Sequence, residues 1–269
     1  MNTVLNPGHD DRPVMQVEEG GRTLIRKRYR SLDDADRVFD AMSALWRSPF
    51  GAGRTPPGLP EPLALDRAAA VIDTAFLVGD AGHRGVPDGA TPRDVDGMAQ
   101  LLADLHRSGV DVPLVRSARR VLASVRRTLG EHHPLVDLAA MRLPDREVLV
   151  PSHGDFTPRN VWCTADGPVL IDLDRVQSAD PARDLGHFAA WCWTRRHLDG
   201  HADGWRSGDA LEAAYLRHSE MSPDALACGR AFHRAAGLVR CWSSVSKRHP
   251  EPIASALLIE AAQLLRAVG

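Results

Sequence analysis

The run His153-Gly154-Asp155-Phe156-Thr157-Pro158-Arg159-Asn160, followed by Val169-Leu170-Ile171-Asp172-Leu173-Asp174 and then Asp180-Pro181-Ala182-Arg183-Asp184, organises the reading of this chain. Asn160 to Cys163 and Val169 to Asp172 read as short strands around the turn Ala165-Asp166-Gly167, in a β island between Val148 and Asp172. Such a hairpin returns Asp172 to the loop that carries Asp155 and Asn160. A helix is predicted to open at Asp180-Pro181, with Asp184 in the first turn, where the helix dipole favours a carboxylate. Taken singly, each feature is an ordinary turn or strand end. Together they gather oxygen-bearing side chains at one place.

Upstream of the island the chain divides at two joints. Val14 to Val17 and Thr23 to Tyr29 read as strands around the turn Glu18-Glu19-Gly20-Gly21. Ser31 is a predicted N-cap, and Ala35, Val38, Phe39, Met42, Leu45 and Trp46 fall on one helical face. Ser48 to Pro62 is a Pro- and Gly-rich loop; Leu63 to Leu65 and Ala70 to Val78 then read as strands. Gly79 to Pro92 is the second joint, with Thr91-Pro92 capping a helix that buries Val95, Met98, Leu101, Leu102 and Leu105. Beyond it, apart from the island, the chain reads as helical, with further starts at Ser207 and Ser222-Pro223. The expected fold is therefore α+β and bilobal. A small sheet lobe with one helix spans 1–79 and a larger, mainly helical lobe spans 80–269.

Composition narrows the function classes. The 269 residues carry 33 Lys plus Arg against 35 Asp plus Glu, with neither half strongly basic or acidic, which argues against nucleic acid as a partner. No apolar run approaches the roughly 18 residues of a membrane span, and Met1 to Pro13 lacks a signal-peptide core. A cytoplasmic protein is expected. Cys163, Cys192, Cys228 and Cys241 are scattered, as expected of reduced thiols. The chain holds 31 arginines but only two lysines, Lys27 and Lys247. The bias points to a GC-rich genome, and a lysine that survives it is a candidate for a function.

Phosphoryl transfer needs a carboxylate facing the acceptor hydroxyl and oxygen ligands for magnesium, which protein kinases supply as H-R-D-x-x-x-x-N followed by D-F-G. Asp155 and Asn160 have the same offset. With glycine after the histidine, the motifs HGDFTPRNVW, VLIDLDRV and DPARDLGHF resemble the aminoglycoside phosphotransferase and choline kinase-like family of small-molecule kinases. The resemblance implies that Asp155 is the catalytic carboxylate, Asn160 and Asp172 are magnesium ligands, and His153 and Asp184 support the catalytic loop. Asp174 would lie near the metal or the substrate.

The same resemblance requires a strand lysine on the nucleotide phosphates and an acid on the following helix. Alternation places Thr23, Ile25, Lys27 and Tyr29 on one strand face and the arginines on the other, so Lys27 is the candidate. Asp40 is preferred over Asp36 as its partner. The adenine is expected against the hinge segment from Ala75 through Phe76 and Leu77 to Val78. Only Asn6 to Arg12 is available as a glycine-poor phosphate cover. The implied cofactors are ATP and Mg2+, and the implied partner is a small-molecule hydroxyl acceptor, an antibiotic or a sugar-like metabolite. A pseudokinase-like nucleotide-binding regulator is the alternative, and a metal-dependent phosphoester hydrolase a third. The oligomeric state is not legible.

Other features read more plainly. Trp191, Trp193, Trp205 and Trp242 suit a helical core, with a pocket wall as the alternative. His197 to Gly204 repeats H-x-D-G, as a solvated turn or a substrate loop. Arg116 to Arg127 reads as the wet face of a helix that buries Val115, Leu122, Val125 and Leu129. Asp199, Asp203, Asp209, Glu212 and Glu220 could attract a polycationic acceptor.

Overall fold

The computed structural model describes residues 3–5, 12–82, 92–201 and 203–267. The predicted cap Thr91 and most of the phosphate-cover segment, 6–11, lie outside them, as does Ala202 of the H-x-D-G repeat.

The first lobe is an antiparallel sheet, β1 (Thr3–Val4), β2 (Val14–Glu19), β3 (Arg22–Arg28), β4 (Pro62–Asp66) and β5 (Val71–Ala75), in the order β1-β2-β3-β5-β4. The β2–β3 ladder reaches Glu19↔Arg22, so the turn is Gly20-Gly21 alone, with φ of 59° and 74°. Two consecutive left-handed residues are what a tight hairpin asks for, and glycine adopts them without strain. Helix α1 (Leu32–Arg47) starts where predicted, and the Ser31 hydroxyl accepts from the Asp34 amide at 3.2 Å. Ala35, Val38, Met42 and Leu45 are buried. The strand expected from Ala70 to Val78 is shorter, because Ala70 takes a positive φ of 51° that the ladder cannot accommodate and pairing ends at Ala75.

The second lobe begins with β6 (Asp80–Ala81), which pairs with β8 rather than with the first sheet. Then follow α2 (Pro92–His106), α3 (Ala118–Leu129), α4 (Pro134–Met141), β7 (Val150–Ser152), β8 (Val161–Thr164), β9 (Gly167–Leu170), β10 (Gln177–Ala179), α5 (Pro181–Leu198), α6 (Arg206–His218), α7 (Pro223–Val245) and α8 (Glu251–Ala267). Helix α6 starts one residue before the predicted Ser207, and the hydroxyl of Ser222 caps α7 as expected. Val115 is 36% exposed and precedes α3 instead of packing within it.

Two small β elements position the site. β8 and β9 pair with Val161 opposite Leu170, and the Ile171 amide donates to the Asn160 carbonyl at 2.9 Å. Asn160, closing a short 3-10 turn, and Asp172, just past β9, therefore emerge side by side. β7 pairs with β10, a ribbon the sequence reading missed because each strand has only three residues. It anchors both ends of the segment 153–176.

One apolar cluster runs through both lobes, joining Val38, Leu45 and Ile72 to Leu101, Phe156 and Leu185. A second, around Val125, Phe232, Leu238 and Leu257, unites α3, α4, α7 and α8. Among the described residues no helix is long and apolar enough to cross a membrane, and the four cysteines are free thiols.

Candidate active site

The loop after β7 is held from beneath. Gly154 has φ of 77°, and a Cβ there would lie 2.1 Å from the Arg175 carbonyl, so only glycine fits. Asp184 of α5, with 0% exposure, accepts from the amides of His153 at 2.7 Å and Gly154 at 2.9 Å. Burial pushes the Asp184 carboxyl up, but His106 and Arg183 outweigh it and bring it down to about 2. His106 Nε2 lies 3.5 Å from Asp184, and its Nδ1 is 2.8 Å from the Tyr215 hydroxyl. His153 is also fully buried. The Asp155 amide donates to its Nδ1 at 3.2 Å, which leaves Nε2 to donate to the Ile171 carbonyl at 2.9 Å. His153 thus ties the Asp155 loop to the segment bearing Asp172.

Asp155 is itself clamped. Its Oδ1 accepts from His187 Nε2 at 2.9 Å and from Arg240 Nη2 at 2.7 Å, and Arg240 Nη1 donates to the Gly154 carbonyl at 3.0 Å. Arg175 Nε lies 3.9 Å from Oδ2. Burial pushes the carboxyl up, yet His187, Arg240 and His153 together hold it well below the usual carboxylate range. Burial and the neighbouring Arg240 push His187 down to about 4 against the pull of Asp155, so at neutral pH its ring is a neutral donor. His187, Arg240 and Arg175 were not predicted. His187 was within reach, because it stands three residues after Asp184 and one helical turn brings both to the loop. Arg240 comes from α7, and no local pattern marks it.

On the other side of the loop, Asn160 Nδ2 donates to the Asp155 carbonyl at 2.8 Å, which leaves Oδ1 as its available ligand atom. Asp172 has a left-handed φ of 60°, rare outside glycine but accessible to aspartate. Lys27 Nζ lies 2.6 Å from Asp172 Oδ1 and 2.8 Å from Asp174 Oδ1. Burial lowers the ammonium pKa, but the two carboxylates raise it by more, so Lys27 stays charged. The Tyr29 hydroxyl donates to Asp174 at 2.8 Å, and Arg37 of α1 donates to the Asp174 carbonyl at 3.2 Å.

The helix partner of Lys27 requires correction. Asp40 is exposed and does not meet Lys27, while Asp36 accepts from Arg67 at 3.0 Å. Both lie on the face of α1 turned away from its buried stripe at 35, 38, 42 and 45. Arg37 is instead the α1 residue that reaches the site.

Lys27, Tyr29, Asn160, Asp172 and Asp174 border a cavity of about 790 Å3 whose other walls include Ile25, Ile72, Ala75, Phe76, Leu77 and Trp162. It has an apolar end at the hinge and a charged end at the β8–β9 hairpin. Among the described residues no three or more His, Cys, Asp or Glu side chains form a metal cage. The donor set is instead the Asn160 amide oxygen and the carboxylates of Asp172 and Asp174, which already meet a cation, the Lys27 ammonium. That suits magnesium, which takes one or two protein oxygens and fills its shell with water and phosphate.

Asp155 borders a second cavity, of about 900 Å3, with Trp191 in its wall. Trp193 stacks on His197 at 5.0 Å, and Trp205 and Trp242 pack against the second core cluster. The acids thought to attract a polycation are absent from this lining. Asp203 pairs with Arg196, and Asp209 and Glu212 with Arg234 at 2.7 and 3.0 Å. Of the described part of the H-x-D-G repeat only Leu198 borders the cavity beside Asp155, and none of its His or Asp side chains lines either cavity.

A family model described as "Phosphotransferase enzyme family" matches residues 3–221. An aminoglycoside 3'-phosphotransferase of Streptomyces fradiae is 29% identical over 176 residues, 55% of this chain and 62% of that relative's length. A choline/ethanolamine kinase family protein from Mesorhizobium loti superposes with a TM-score of 0.69 at 16% identity, over 98% of this chain and 88% of that one. A choline kinase from Streptococcus pneumoniae gives 0.63 at 12% identity, over 99% and 93%. An aminoglycoside-3'-phosphotransferase of type VIII gives 0.56 at 22%, over 87% and 93%.

Proposed function

We propose, from the premise that the chain belongs to the phosphotransferase enzyme family, that it transfers the γ-phosphate of ATP to a hydroxyl of a small molecule. The observation that carries this reading is the position of Asp155. Its carboxylate borders one cavity, while Asn160, which donates to its backbone carbonyl, borders the other with Asp172 and Lys27. Nucleotide in the cavity against Ala75, Phe76 and Leu77, and acceptor in the cavity beside Asp155, would meet at this loop.

In this mechanism Asp155 orients the acceptor hydroxyl and takes its proton. A carboxylate kept so firmly ionised is a weak base, and that is sufficient where the phosphoryl group is transferred through a loose transition state and the proton leaves late. Asn160 and Asp172, with Asp174 beside them, would hold magnesium, which when bound neutralises phosphate charge. Lys27 would bind the α and β phosphates, while His153 and Asp184 hold the loop in place. Most of the rate enhancement is then positioning and electrostatics.

We place the lobe boundary at residue 79, where the chain passes from the first sheet to the pairing of β6 with β8. We assign the protein to the cytoplasm, in keeping with its free thiols, and expect no nucleic-acid or membrane partner. Among acceptors, an antibiotic or a sugar-like metabolite is the starting class. The reading of the chain as a pseudokinase-like regulator gains no support from a site with Asp155, Asn160 and Asp172 all in place.

The test is an assay with magnesium and ATP over a panel of hydroxyl compounds, read by the mass gain of one phosphate. Asp155→Asn should lower turnover by roughly 10²- to 10⁴-fold. Near-normal turnover in that variant would remove the assignment.

A further inference from the structure

The cavity beside Asp155 has a charge that the rest of the chain does not. Eight arginines line it against one carboxylate, Asp155 itself. Arg240 is satisfied by that carboxylate, but among the described residues no Asp or Glu pairs with Arg116, Arg127, Arg159, Arg195 or Arg248. Along the sequence Arg116 to Arg127 reads as a solvated helix face. Part of that face forms the wall of the cavity: Ser124, Arg127 and Thr128, at helical spacing on α3, border it with Arg116 while Arg127 and Thr128 stay exposed to solvent. Arg116 and Arg127 both donate to the Ser124 hydroxyl, and Arg116 Nε is buried without a partner.

These guanidinium groups crowd one another. Burial lowers the pKa of Arg183 to about 10, with Arg240, Arg116 and Arg175 adding to the effect against the opposing pull of Asp184. Arg116 is lowered by burial and then by Arg127 and Arg175. Charge gathered in a recess without counter-ions is costly unless a ligand supplies them, and arginine forks fit carboxylate and phosphate oxygens two at a time. A polycation in the same space would meet repulsion. The volume, about 900 Å3, is that of a small-molecule site.

We propose that the acceptor carries, besides its reactive hydroxyl, an oxyanion (phosphate, sulfate or carboxylate) held by Arg116 and Arg127 at the α3 wall. The substrate class is then acidic hydroxyl compounds, not amino sugars or quaternary ammonium alcohols. The proposal rests on the phosphotransfer reading only for the identity of the ligand as acceptor; the oxyanion site stands on the arginines.

Two measurements decide it. The first offers matched acceptors with magnesium and ATP: glucose against glucose 6-phosphate, glycerol against glycerate, and the cations kanamycin and choline. The acidic member of a pair should be favoured by ~10- to 100-fold in kcat/KM, the scale of one or two charge-assisted bonds. Arg116→Gln with Arg127→Gln should raise its KM by a similar factor while changing kcat less. Preference for kanamycin, choline or the neutral members overturns the proposal and leaves phosphotransfer standing. The second is a thermal titration with inorganic phosphate at constant ionic strength, with saturating ADP to occupy the nucleotide cavity. A saturable rise in Tm that the double substitution abolishes is expected. No rise, or one that survives the substitution, overturns the oxyanion site. If no compound gains phosphate and no γ-phosphate is lost, while phosphate binding still depends on the arginines, the phosphotransfer reading fails and the site remains.

Discussion

Replacing Asp184 with alanine tests how the loop bearing Asp155 is held. The carboxylate is 0% exposed and is the acceptor for two backbone amides, those of His153 and Gly154, with Arg183 Nη1 3.9 Å away. Each buried amide left without a partner costs about 1–3 kcal/mol, and breaking a buried charged network costs about 3–5 kcal/mol. At roughly 2–4 °C per kcal/mol for a chain of this size, Tm should fall by about 6–20 °C. Asp184→Asn keeps one oxygen for one of the two amides and should lose about half as much. Because the freed segment is the one that aims Asp155, single-turnover phosphate transfer measured well below Tm should fall in the alanine variant too. The carboxyl is lowered to about 2 in the folded protein, against about 3.9 in an unfolded chain. A depressed acid stabilises the fold above the unfolded pKa and loses that contribution as pH falls through the folded one. The Tm gap between wild type and Asp184→Asn should accordingly narrow from about pH 4 downward. Circular dichroism melts read all of this, and an alanine variant within about 2 °C of wild type would refute the account of the loop.

Three further outcomes follow from the site. Lys27→Arg should reduce kcat/KM for ATP by roughly 100-fold, because a planar fork cannot replace the compact ammonium set between Asp172 and Asp174; steady-state kinetics over ATP concentration would expose tolerance. Asp40→Ala should leave both Tm and kcat near wild type, since the side chain is exposed and away from Lys27; a large loss would restore it as the lysine partner. Burial lowers His187 to about 4 and His233 to about 3, so the unfolded chain binds more protons than the folded one below about pH 6.5. Their contribution is complete above that pH and is lost as pH falls toward those values. Tm should decline on acidification across that window, with a shallower slope in His233→Leu, and a flat Tm from about pH 7 to 4.5 would contradict it.

The elements that position the site were readable where their signals were local. Gly20-Gly21, Ser31 and Asp180-Pro181 act through their own backbone or their immediate neighbours, and the structure has a turn or a helix start at each. Elsewhere nothing local decides. β7 and β10 are three residues each and gain their structure from each other across the chain. Helical spacing alone favours Asp40, but the rotation of α1 against the sheet puts that face outside and brings Arg37 to Asp174 instead.

The sequence by itself determined the two-lobed α+β plan and a loop in which Asp155, Asn160 and Asp172 share one hairpin, because hairpin return and helix capping depend on contiguous residues. It also singled out Lys27 by strand alternation, and the ladder sets that face toward Asp172. Only the tertiary structure decided what surrounds Asp155. His187, Arg240 and Arg116 come from α5, from α7 and from the segment before α3, and converge through the packing of apolar faces such as Val125 and Val239, which meet in the second core cluster. Along the chain those arginines look like the wet sides of helices. Packed together they enclose a recess with one carboxylate, and the field in that recess belongs to no single segment.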